Sequence, residues 1–155
     1  MDPKFRKQLA IAHRKLRALI ASTPVRADAL PMKMPASGVY LFTEHGEHLY
    51  VGRSNRLKKR IPLHYRRASK HSSAAFAFRL ARKATRREVA SYKTEGSRKQ
   101  LAAEQSFARA FLRAKERIRR MEVRFVEEND QLRQTLLEIY AAAVLPTPFN
   151  DFDTH

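Results

Sequence analysis

At 155 residues the chain has room for one domain with a modest core. It carries 32 Lys and Arg against 15 Asp and Glu, a net charge of +17, while 43% of its residues are hydrophobic, an ordinary share for a folded protein that argues against a disordered basic tail. No apolar run reaches the roughly 18 residues of a membrane span, and the lack of Cys excludes a disulfide scaffold, thiol catalysis and zinc sites of the usual cysteine type.

Met1-Asp2-Pro3-Lys4-Phe5-Arg6 has no apolar signal core, so the expected address is the cytoplasm. Over residues 3–21, Phe5, Leu9, Ala12, Leu16, Leu19 and Ile20 recur in steps of three and four, which predicts an amphipathic helix. That helix either covers a core of its own chain or pairs with a partner. Thr23-Pro24 ends it, because a residue before proline avoids the α region. Residues 24–37, with Pro24, Pro31 and Pro35, read as a linker.

Gly38–Thr43 and His48–Gly52 are β-rich runs, predicting a hairpin with a loop of about four residues. Ser54 or Asn55 can cap a helix over roughly 56–68. Pro62 falls inside that helix, where it kinks the backbone unless the helix begins late enough to hold Pro62 in its first turn. Residues 73–92 and 98–119 read as helices. Met121–Val126 alternates at period two and predicts a third strand. Residues 131–144 predict a helix with Leu132, Leu136, Ile139 or Tyr140, and Ala143 on its apolar face, stopped by Pro146 and Pro148. The order of elements is that of a small α/β sandwich: a three-stranded, mostly antiparallel sheet flanked by helices. An N-terminal helix with its linker takes residues 1–35, the main domain 36–150 with a helical insert at about 70–119, and a tail 151–155.

The charge is unevenly spread. Residues 53–87 hold thirteen Lys and Arg and no acid, whereas 122–155 hold two Arg against seven Asp and Glu. An ordinary solvated face mixes signs. A 35-residue stretch without a carboxylate calls for an anionic partner, and a polyphosphate backbone is the commonest. An anionic lipid surface is the main competitor.

Gly38-Val39-Tyr40, nine residues and Tyr50-Val51-Gly52 stand on the predicted hairpin. Downstream come Arg60 and His64, then Glu138 within Leu136-Leu137-Glu138-Ile139-Tyr140, then Leu145-Pro146-Thr147-Pro148-Phe149-Asn150. In this order the set resembles the GIY-YIG nuclease domain over about residues 36–150, with Val in place of Ile in both tripeptides. The resemblance implies a divalent-metal-dependent endonuclease cutting phosphodiester bonds, in DNA ahead of RNA, with one Mg²⁺ or Mn²⁺ held by Glu138. It implies Tyr40 and Tyr50 as candidates to activate water, with Tyr40 favoured as base and Tyr50 as a positioning hydroxyl. Cations such as Arg53 and Arg60 would favour a phenolate.

Arg60 would present a planar fork to phosphate oxygens. His64 would relay a proton or bind phosphate, and Asn150 would bond a site group or cap a turn. Gly38 and Gly52 allow close backbone approach. Arg53, Lys58, Lys59, Arg66, Arg67, Arg79, Arg82, Lys83, Arg86 and Arg87 would grip the nucleic acid. Phe76 and Phe78 are helix-core residues ahead of base-stacking ones. A basic nucleic-acid-binding module with an inactive or partner-dependent site is the alternative. A lipid-surface or ribosome-associated protein leaves the motif order unexplained.

Overall fold

The computed structural model describes residues 1–85 and 104–152. The chain forms two compact units. Unit 1 comprises Met1–Arg60 and Met121–His155, and unit 2 comprises Ile61–Arg120. Residues 70–119, expected as a helical insert within the main domain, fall inside unit 2. No described helix is long and apolar enough to cross a membrane.

In unit 1, helix α1 (Pro3–Ala21) begins where Asp2 accepts hydrogen bonds from the Lys4 and Phe5 amides at 2.8 and 3.2 Å, with Pro3 in the first turn. Four strands follow: β1 (Val25–Arg26), β2 (Gly38–Glu44), β3 (Glu47–Ser54) and β4 (Glu122–Glu127). They form one antiparallel sheet in the order β1-β4-β2-β3. The strand added to the expected three is β1. It pairs Val25 with Val123, and the Ala27 amide extends the pairing to the Met121 carbonyl at 2.9 Å. Two residues are too few to show a period, so this strand was invisible in the Pro-rich linker.

The β2–β3 hairpin turns on two residues rather than four. His45 and Gly46 both have positive φ, 51° and 81°, the primed turn that matches strand twist. The register shifts between Phe42 and Thr43, so β3 carries one extra residue, a bulge at Leu49. Gly38 faces β4 so closely that a Cβ would stand 1.9 Å from the Val126 carbonyl oxygen. Only glycine lets β4 reach that register.

One sheet face is covered by α1 and by helix α5 (Gln131–Val144). Leu16 and Leu19 pack with Val39, Leu41, Val51, Leu137 and Ala141. The N-terminal helix therefore covers its own chain's core, while Phe5 and Ile20 stay exposed. The expected apolar face of α5 is corrected. Gln134, Leu137 and Ala141 are buried, whereas Leu132 and Ile139 are 70% and 51% exposed. Gln134 goes inside because its amide is satisfied there, donating to the Asn55 side-chain oxygen at 2.9 Å and the Glu128 carbonyl at 2.7 Å.

Helix α2 (Leu57–Leu63) contains the boundary between the units. Ser54 accepts a hydrogen bond from the Arg56 amide at 2.9 Å before it. Pro62 lies at its sixth position, not in its first turn. The His64 amide then bonds to the Ile61 carbonyl, a tighter i→i−3 link, so the proline marks where the helix stops.

In unit 2, helices α3 (Ala75–Ala84) and α4 (Gln105–Arg119) pack through an aromatic core. Phe78 meets Phe107 and Phe111 edge-on, at 5.1 and 6.0 Å between ring centres. Phe76 and Phe78 are both fully buried, as their helical spacing suggested. The expected helices over 73–92 and 98–119 are longer than these; their stretch 86–103 lies outside the described residues.

Candidate functional site

The hairpin brings the two tripeptides into register. Tyr40 pairs with Gly52, and Phe42 with Tyr50. Tyr40 is 1% exposed and its ring lies against Gly52, where a Cβ would come within 2.4 Å of both Cζ and the phenolic oxygen. The close approach at Gly52 is thus made by a side chain, and at Gly38 by backbone. Tyr40 also meets Phe42 edge-on at 5.8 Å. Phe42 and Tyr40 therefore form a packed pair in which the phenol is fixed. Tyr50, by contrast, is half-buried.

Burial pushes the Tyr40 phenol well above its ordinary pKa, and the neighbouring Tyr50 adds to this. Arg60 acts the other way, through its charge and a hydrogen bond, while Glu138 raises the value slightly further. The expected shift of Tyr40 toward phenolate is therefore corrected: desolvation outweighs the cation. Tyr40, Tyr50, Arg60 and Glu138 come from β2, β3, α2 and α5, yet they share one electrostatic neighbourhood in unit 1.

Glu138 is half-buried on α5. Its Oε2 is 3.3 Å from Arg53 Nε on β3. Loss of hydration raises its pKa above the usual carboxylate range, and Arg53 offsets part of that rise. Arg53 is 43% exposed, so the pair itself stabilises by only about 0–1 kcal/mol. Among the described residues no three His, Cys, Asp or Glu side chains gather as a ligand set. Glu138 alone fits a hydrated Mg²⁺, which takes one or two carboxylates and leaves its other positions to water and phosphate oxygens.

Asn150 is a clamp on the sheet edge. Its Oδ1 accepts from the Val51 amide at 2.8 Å and its Nδ2 donates to the Val51 carbonyl at 2.7 Å. The Phe149 amide adds a bond to the Leu49 carbonyl at 3.2 Å. β3 is an edge strand, so these bonds occupy backbone groups that would otherwise seek another partner. They also fix the strand that bears Tyr50 and Arg53. Asn150→Asp is expected to cost about 1–3 kcal/mol, because an acceptor then faces the Val51 carbonyl and its donor is gone. A urea titration followed by circular dichroism reads this, and an unchanged midpoint would show the clamp to be idle.

The other expected residues divide. His64 is fully buried in unit 2, edge-on to Phe76 at 6.4 Å between ring centres. A proton relay needs access to substrate or solvent, so its expected role is corrected to a core position. Arg82 is 6% exposed and lies over the Phe78 ring at 5.8 Å, a packed cation rather than a surface grip. Lys59, Arg66, Arg67 and Lys83 are exposed, and Arg79 is half-buried. Lys58 is exposed, and its ammonium donates to the Met32 carbonyl at 3.1 Å. Arg86 and Arg87 lie outside the described residues. Buried Gln134 went unread because a glutamine inside an apolar helix run looks like solvent-facing spacing.

No family model matches the chain, and searches of curated proteins and of solved structures found no match.

Proposed function

We propose that unit 1 is a divalent-metal-dependent endonuclease that hydrolyses phosphodiester bonds, with DNA its substrate ahead of RNA. One observation carries the reading: four elements converge Tyr40, Tyr50, Arg60 and Glu138 on a single electrostatic neighbourhood. The order of these residues in the chain, the net charge of +17 and the acid-free stretch 53–87 support it.

Each residue has a task set by its chemistry. Arg60 offers a guanidinium fork to the phosphate oxygens as negative charge builds on them. Tyr40, buried and hydrogen-bonded to Arg60, aims that fork and is a positioning residue rather than the base. Tyr50, half-buried, is the phenol that can reach water and orient it for attack. Arg53 keeps Glu138 ionised at lower pH than burial alone would allow. Glu138 would hold one Mg²⁺ or Mn²⁺, which when bound supplies charge neutralisation and stabilises the leaving oxygen. Asn150 holds β3, and with it Tyr50 and Arg53, in place. The reading assigns the protein to the cytoplasm.

A cleavage assay tests this, using plasmid, single-stranded DNA and RNA with Mg²⁺, Mn²⁺ or EDTA. Cutting is expected with either metal and not with EDTA. Arg60→Ala is expected to slow it by about 10²–10³-fold, the usual cost of one donor to a developing oxyanion. Arg60→Lys restores little, because an ammonium lacks the planar fork. Cutting that persists unchanged in Arg60→Ala would remove the reading. Salt-sensitive binding without cutting of any polymer would favour the binding-module alternative.

A further inference from the structure

Unit 2 holds a feature that the nuclease chemistry leaves unused. A cleft of about 290 Å³ is lined by Arg67, Leu112, Arg113, Glu116 and Arg120. Arg113 within α4 and Arg120, the residue that caps its C-terminal end, are seven residues apart, about two helical turns, and line the same cleft. Both are exposed, as is Arg67 across the cleft. Glu116, the one carboxylate among the described lining residues, lies 3.7 Å from Arg119.

The backbone that carries Arg67 is fixed from below. Lys115 is 2% exposed, yet its ammonium donates to the Arg67 carbonyl at 2.9 Å and to the Ser69 carbonyl. It also sits 4.2 Å over the Phe111 ring. A buried ammonium is costly unless paired or hydrogen-bonded. Here the core of unit 2 holds one whose two bonds pin the 67–69 segment beside α4. Arg67, Arg113 and Arg120 line the same opening.

The geometry points to a second nucleic-acid contact: Arg67, Arg113 and Arg120 bind the phosphate backbone of a polynucleotide without reading its sequence. Guanidinium forks match phosphate oxygens. Among the described residues the lining has no aromatic ring on which a base could stack, so the contact positions rather than specifies. Arg113 and Arg120 lie outside the acid-free stretch, in a segment of nine basic and four acidic residues, and composition alone hides them. The inference rests on the nucleic-acid reading above but not on catalysis.

The test is metal-free binding of the whole chain to a fluorescent duplex of mixed sequence, in EDTA, across a salt series. Arg113→Gln/Arg120→Gln is expected to bind roughly 30-fold more weakly at 0.15 M salt, with the slope of log K against log salt shallower by about two. Arg113→Lys/Arg120→Lys is expected to keep the slope, since the charge remains. Melting curves confirm that both variants stay folded. Unchanged affinity and slope in the Gln variant overturn the proposal, as does an equal loss of slope in the Lys variant. So does removal of the difference by a few millimolar inorganic phosphate at constant ionic strength, which would mark a free-phosphate site. A parent chain that binds but never cuts defeats the nuclease reading alone.

Discussion

Gly38→Ala is expected to cost unit 1 about 3 kcal/mol or more, because the added methyl would stand 1.9 Å from the Val126 carbonyl oxygen and 3.0 Å from its carbon. These are main-chain atoms of β4 in the middle of the sheet. They move only if the β2–β4 register opens, and that register also places Tyr40 opposite Phe125. Gly52→Ala meets a different obstacle. Its methyl would strike the end of the Tyr40 side chain at 2.4 Å, and that ring is fully buried. The two glycines therefore separate in a double-mutant cycle. Shortening Tyr40 to Leu is expected to recover much of the stability lost in Gly52→Ala and none of that lost in Gly38→Ala. Urea midpoints of the singles and doubles measure this. Strict additivity at Gly52 would mean that Tyr40 does not set its need for glycine.

The elements that sequence disclosed are those with a long period or a sharp stop. α1 runs from a Pro at its first position to Ala21, three residues before Pro24, as its pattern required. α5 ends before Pro146, and β4 follows the alternation of Val123 and Phe125. What escaped has a physical cause in each case. β1 is too short to alternate. The hairpin turn was read two residues too long because Glu44 and Glu47 look like loop residues, although they pair with each other beside the turn. The inward face of α5 was misread because apolar residues lie all round Leu136–Val144, so helical spacing picks no unique stripe. Tertiary packing chose Leu137 and Ala141, and the buried amide of Gln134 sealed the choice.

For the candidate site, motif order disclosed which residues to compare but not how each is buried. Motif order brought Tyr40, Tyr50, Arg60 and Glu138 onto one list. It could not tell that Tyr40 would lie under the sheet's packing against Gly52 while Tyr50 stayed half-buried. Burial is a property of all the neighbours at once, and a tripeptide does not encode it. His64 and Arg82 show the same limit. Each has a polar side chain that a sequence places on a basic surface, and unit 2 buries both beside Phe76 and Phe78. Charge counting cannot tell an exposed cation of the stretch from a buried one such as Arg82.

Glu138→Gln is expected to raise the melting temperature at neutral pH while abolishing cleavage, a loss of about 10³-fold or more. The signs follow from the raised pKa. Folded Glu138 holds its proton more tightly than the unfolded chain does, so ionising it costs stability once the pH climbs above the unfolded value. Below that value both states are protonated, and Gln and Glu should melt alike. The advantage of Gln then opens as pH rises toward the folded pKa and is complete above it. The lost ion pair subtracts little, because Arg53 is 43% exposed. In the metal-free protein Arg53→Ala should push the Glu138 pKa, and with it this melting transition, higher, since Arg53 is the group that lowers it. Melting curves from pH 4 to 8 and cleavage rates over the same range test both halves. A Gln variant that melts lower at every pH and still cuts would make Glu138 a structural acid and remove it from the site. Arg53, 3.3 Å away, only partly offsets the desolvation of this half-buried carboxylate.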